Sequence, residues 1–105
     1  MSSKTDDTDA QRKTTHDDTV SLNEGLRRLR DALRIISFHT PGQHYKADLK
    51  ADCVWVRAMT SDSGIQRTAH AAKASLSILR AAIRMEPERF RSELEQWLQE
   101  NGFTI

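Results

Sequence analysis

The sequence predicts an all-α fold, a small bundle of about four helices behind a disordered N-terminal arm. Three observations lead there. Ser21 to Ile36, SLNEGLRRLRDALRII, sets a helix-start signal ahead of a leucine stripe. Leu76 to Met85 repeats that pattern fifty positions later. The segment from Glu86 onward opens with a proline between two glutamates and closes on Asn101-Gly102. Helices are expected near 21–37, 44–59, 64–84 and 87–101, in one domain spanning 21–105 with the arm at 1–20.

The arm is Ser, Thr, Asp, Lys and Gln with almost no apolar residue. Such a segment buries too little surface to offset its ordering entropy, so disorder is expected. Charge is uneven along the chain. Residues 1–21 carry three basic and five acidic groups, 22–84 eleven and five, and 85–105 two and five. A basic middle between acidic ends suits an anionic partner, or lets the ends screen the middle.

The first helix begins on Ser21 and Glu24, which have the S-x-x-E spacing of a capping box. Leu22, Leu26, Leu29, Leu33 and Ile36 follow in steps of 4 and 3. At 3.6 residues per turn they keep to a stripe about 80° wide, the width of a helix–helix seam. Gly25 and Ala32 border it and would admit a neighbouring backbone. Arg27, Arg30 and Arg34 line the other border, with Arg28 nearer the back. Ile35 and Phe38 fall off the stripe, and Thr40-Pro41-Gly42 ends the helix.

Tyr45 to Met59 reads two ways. A helix puts Tyr45, Leu49, Val56 and Met59 on one face, but also creates like-charge pairs Lys46/Lys50 and Asp48/Asp52. A strand near 46–56 explains the alternation of Tyr45, Ala47, Leu49, Ala51 and Cys53 with charged residues. With no second strand in view, it would have to pair across a dimer. Helix is the preferred reading.

Ser63 and Gln66 repeat the capping-box spacing ahead of a third helix with the stripe Ile65, Ala69, Ala72, Leu76, Leu79 and Ile83. Lys73, Arg80 and Arg84 border it. Its Leu76–Met85 part shares L-x-x-L-R-x-A-[LI]-R-[IM] with Leu26–Ile35. Leu-, Arg- and Ala-rich helices resemble one another readily, so duplication is not the preferred explanation. Pro87 suits the first turn of the last helix, and Phe90, Leu94, Trp97 and Leu98 form its apolar face. Asn101-Gly102 stops it, with Phe103 positioned to fold back.

Catalytic and metal signatures are weak. His39, His44, His70 and Cys53 match no zinc-site spacing. Cys53 beside His44 or His70 is the sole thiol option, and its apolar run favours a buried structural thiol. No Walker loop, G-x-G-x-x-G or H-E-x-x-H is present. Glu86/Glu88 and Glu93/Glu95 read as a solvated helix face. No enzyme, cofactor or metal is expected. The opening MSSKTDDTDAQRK has no apolar stretch resembling a signal sequence, and no apolar run approaches the ~20 residues that span a bilayer. A cytoplasmic protein without a membrane partner is expected. Glu24, Asp31 and the absence of Trp also argue against a membrane-surface role for the first helix.

The function these features favour is a non-enzymatic protein-interaction or regulatory module. It would act through self-association, or docking on a protein partner, along the arginine-edged seams Leu22, Leu26, Leu29, Leu33, Ile36 and Ile65, Leu76, Leu79, Ile83. The alternative is nucleic-acid binding through Arg27, Arg28, Arg30, Arg34, Lys73, Arg80 and Arg84. That alternative is broadly analogous in arrangement to ribbon-helix-helix proteins if 46–56 is a strand.

Overall fold

The computed structural model describes residues 21–105; the expected arm at 1–20 lies outside the described residues. Helix α1 (21–38) leads into β1 (Gln43–Leu49), β2 (Cys53–Asp62) and β3 (Ile65–Ser75), then α2 (Ser77–Arg84) and α3 (Pro87–Glu100). The strands form an antiparallel meander in the order β1-β2-β3. The all-α helical bundle is therefore overturned. The fold is α+β, three helices on a three-stranded sheet.

Two segments carry the correction. The expected helix at 44–59 is β1, a turn and most of β2. Its strand alternative finds its partner within the chain, not across a dimer, since Asp48 pairs with Trp55 and Leu49 with Val54. Ala51 and Asp52 make the turn, and the Lys50 N–H donates to the Cys53 carbonyl at 2.8 Å. The like-charge pairs that count against a helix disappear, because residues four apart are about 13 Å distant along an extended chain.

The expected helix at 64–84 is helical only from Ser77; Ile65–Ser75 is β3. The reason lies in Ser63-Gly64. Both residues have positive φ, 54° and 82°, and they join the paired residues Asp62 and Ile65. That is a type I′ hairpin turn, whose twist matches the strands it links. Ser63 thus starts a hairpin instead of capping a helix. Ala69, Ala71, Ala72 and Ala74 have high helix propensity, but pairing with β2 overrides it. Register slips between Ala58 and Met59: Ala58 faces His70 and Met59 faces Thr68, leaving Ala69 as a bulge.

The sheet has a covered face and an open one. Ala47 on β1, Val54, Val56 and Ala58 on β2, and Ala74 on β3 join a core with Leu26, Leu29, Leu33 and Ile36 of α1, Leu79 and Ala82 of α2, and Phe90, Leu94 and Leu98 of α3. No polar or charged described residue is buried. Burying one such leucine contributes about 1.5–3 kcal/mol, so the α1 stripe is a principal stabiliser. Gly25 lets α1 meet α2: a Cβ there would overlap the Leu79 backbone oxygen and Leu79 Cβ. The expected close approach at Gly25 is realised inside the chain.

The helix ends follow local chemistry. Helix α1 is already helical at Ser21, and Glu24 accepts from Arg27 and Arg28 instead of closing a capping box. Pro87 opens α3. At its far end Gly102 has φ 89°, Phe103 N–H donates to Leu98 O at 2.9 Å and Gly102 N–H to Gln99 O at 3.2 Å. These are the two bonds of a Schellman stop. Phe103 then packs near Tyr45 and His70, above Ala58, which pairs with both.

Candidate functional site

The side chains that alternate away from the core define the open face. Two adjacent cross-strand rows form its centre. One row is Lys46, Arg57 and Ala71; the other is Asp48, Trp55 and Lys73. Lys46, Ala71 and Lys73 are exposed, and Trp55 and Arg57 are half-buried. Cys53 and Met59 share this face and lie outside the core cluster. Both are buried: Cys53 pairs with Ser75, and Met59 sits between His44 and Thr68, whose Oγ1 donates to its Sδ at 3.4 Å.

Charge is organised across these rows. Arg57 Nη2 donates to Asp48 Oδ2 at 2.7 Å. Lys73 Nζ lies 5.8 Å from the centre of the Trp55 ring, a cation–π contact. Arg30 reaches from α1 around the β1 edge, donating through Nε and Nη2 to Ala47 O at 3.0 and 2.8 Å. Its Nη2 is also 3.9 Å from Asp48 Oδ1. Arg34, one turn on, lines the groove between α1 and β1 with Tyr45 and Lys46. A strip from α1 to β3 thus carries Arg30, Arg34, Lys46, Arg57 and Lys73 against the carboxylates of Asp48 and Asp31.

Arginine has a second duty in this strip. The outward carbonyl of an edge strand is a template for another chain, and Arg30 occupies that of Ala47. One guanidinium therefore covers a carbonyl in the middle of the β1 edge and holds positive charge beside the open face.

The seven basic residues singled out from sequence do not form one surface. Arg30, Arg34 and Lys73 come together on or beside the strip. Arg27 and Arg28 are tied to Glu24, whose carboxyl is held down to about 2 from 4.5 by hydrogen bonds from Arg27 first and Arg28 second. Arg34 is paired with Asp31 at 3.2 Å. Arg80 and Arg84 are exposed on α2, away from its buried Leu79 and Ala82. Of the seam residues, Leu26, Leu29, Leu33, Ile36 and Leu79 are in the chain's own core, and Leu22, Leu76 and Ile83 are half-buried. Ile65 is 60% exposed at the hairpin end, a consequence of the strand.

Trp55, Arg57 and Lys46 escaped the sequence reading as site residues. The alternation around Lys46 was the available signal, and the Ser-Gly turn would have added the other two.

A second surface lies between α1 and α3. Ala32, Ile35, Ala82, Pro87 and Phe90 line a groove of about 200 Å³ with Arg27, Arg28 and Arg91 at its rim. Phe38, on α1 beyond Ile35, is 75% exposed.

The thiol and imidazoles stay apart. Cys53 and His44 lie at opposite ends of the β1–β2 ladder, six residues or about 20 Å apart. His70 is on the covered face, its Nε2 2.7 Å from Asn101 O. Among the described residues no three His, Cys, Asp or Glu side chains gather to hold a metal ion. No described helix is long and apolar enough to cross a membrane. In comparisons with known proteins, no family model, curated protein or solved structure matches the chain.

Proposed function

We propose that the protein is a non-enzymatic nucleic-acid-binding module that works through the open face of its sheet. The observation behind this reading is the strip of five cations that runs from α1 across the sheet past Trp55, with Asp48 and Asp31 as its carboxylates. Lysine and arginine at a surface replace counterions on phosphates, and binding of that kind weakens steeply with salt. Arg57 and Lys73 border the Trp55 ring, so charge and stacking surface occur together. A regulatory role in the cytoplasm belongs to the same reading.

A mobility-shift titration with labelled oligonucleotides tests it. A shift is expected at low salt, weakened by added salt and by the double substitution Lys46→Glu/Lys73→Glu. No shift at low salt would sink the reading.

A second reading, docking of a protein partner, is favoured by Phe38 and by the groove beside Ile35. The core leucines of α1 and α2 are occupied within the chain, so a homo-oligomer on this reading would form through the Ile35–Phe38 surface. Sedimentation of the protein and of Phe38→Ser separates the cases: a dimer lost on substitution supports this surface.

A further inference from the structure

We infer that the strip recognises single-stranded nucleic acid in preference to a duplex, with the Trp55 ring as the platform on which a base stacks. The inference rests on the nucleic-acid reading above and narrows it to a ligand class. Three features carry it.

The first is shape. Duplex DNA is read by an element that enters its groove, and the major groove of about 12 Å admits a helix or a two-stranded ribbon. Trp55 and its flanking cations stand instead on the middle of a three-stranded face. There the strands beside β2 lie about 4.8 Å away on each side. Such a surface receives a strand laid across it.

The second is the central aromatic. Trp55 pairs with Asp48 on one side and Lys73 on the other, so its ring has short or flexible neighbours across both ladders. Every base has a π-face, and an unpaired base is free to present it. Bases inside a duplex are already stacked.

The third is the order of charges. A path across the strands meets Lys73 on β3, Arg57 on β2, Lys46 on β1 and then Arg34 on α1. A backbone crossing the sheet keeps a cation within reach on each element, while a base falls to Trp55 between them. Lys73, now beside the ring, would move to a phosphate as the base takes its place.

Fluorescence provides the test, because the chain has two tryptophans, Trp55 and Trp97. In a Trp97→Phe background Trp55 reports alone. Titration with single-stranded RNA or DNA of about ten nucleotides is expected to quench it saturably, with the matching duplex binding more weakly. Trp55→Leu, with its fold checked by circular dichroism, is expected to weaken single-strand binding about tenfold to a hundredfold. Lys73→Glu gives an independent variant, expected to reduce affinity and flatten the salt dependence. Equal binding of duplex and single strand, with Trp55 emission unchanged and Trp55→Leu without effect, would overturn the inference while leaving nucleic-acid binding intact. Absence of binding to either form at low salt would overturn both.

Discussion

Val56 and Arg57 are neighbours on β2 and belong to different environments. Val56 is fully buried beneath the helices, while Arg57 sits half-exposed against Asp48. The same division runs along the sheet, with Ala47 beside Lys46 and Ala74 beside Lys73. On the covered face Ala47 of β1 and Ala72 and Ala74 of β3 are small, and the leucines and phenylalanine of α1, α2 and α3 pack against them, with Tyr45 and Leu49 at the margin. On the open face the bulk is a tryptophan and long cationic side chains. Stability is therefore concentrated on one side of each strand, and the other side is free to carry charge at little cost to the fold.

The largest effect is expected where that division is broken. Val56→Asp puts a carboxylate into a core with no polar partner and should cost more than about 4 kcal/mol, since an unpaired buried charge is among the most damaging changes. Loss of a cooperative urea transition is the expected result; a transition close to wild type would refute the assignment of faces.

Next comes the helix crossing that holds the cover in place. Gly25→Ala meets backbone at Leu79, so neighbouring side chains cannot relieve the overlap. Overpacking of this kind costs about 1–3 kcal/mol. Thermal unfolding should show a clear drop in midpoint. An unchanged midpoint would mean that α1 and α2 do not meet at Gly25.

On the open face, Lys46→Glu reverses the charge opposite Arg57 and should change stability by no more than about 0.5 kcal/mol. Urea unfolding measures this, and the same variant should lose oligonucleotide affinity. Separation of the two readouts sharpens the contrast between faces; a joint loss erases it.

The smallest effect concerns the exposed side of α1. The Glu24 carboxyl titrates at about 2, below its ordinary 4.5, because Arg27 and then Arg28 donate to it. A lowered carboxyl pKa stabilises the fold in full above the ordinary value, and that contribution fades as pH falls from 4.5 toward 2. The pair is solvent-exposed, so the effect is slight and shrinks with salt. A carboxyl-resolved NMR titration should place the Glu24 midpoint low, and Arg27→Ala should raise it.

Several elements were legible in the chain before any tertiary contact. The stripe from Leu26 to Ile36 is the buried face of α1, and Phe90, Leu94 and Leu98 are that of α3. Asn101-Gly102-Phe103 stops α3 with the bonds its residues suggest. These features are local: their partners lie within a few residues, and helical periodicity makes a face visible. The basic border of α1 was visible too, and Arg30 and Arg34 do flank the candidate site.

Ile65 to Ser75 was not legible as a strand. Its alanines, Gln66, Arg67 and Lys73 suit a helix, and Ile65, Ala69 and Ala72 continue a helical stripe into Leu76. Ser63-Gly64 was the contrary signal, but a two-residue turn has force only when both flanking runs can pair. The site shared that fate, because Lys46, Trp55 and Lys73 are distant in sequence and became neighbours through strand register alone.

The sequence by itself determined the two helical faces at either end, the stop after α3 and the alternation between Tyr45 and Cys53, all set by short-range periodicity and backbone preference. Only the tertiary structure decided that the middle of the chain is a sheet, that the α1 leucines are internal core, and that Arg57 and Lys73 stand beside Trp55. A strand's hydrogen bonds are made with another strand, and a sheet's face is assembled from residues that its pairing brings together. Neither can be fixed by a segment alone.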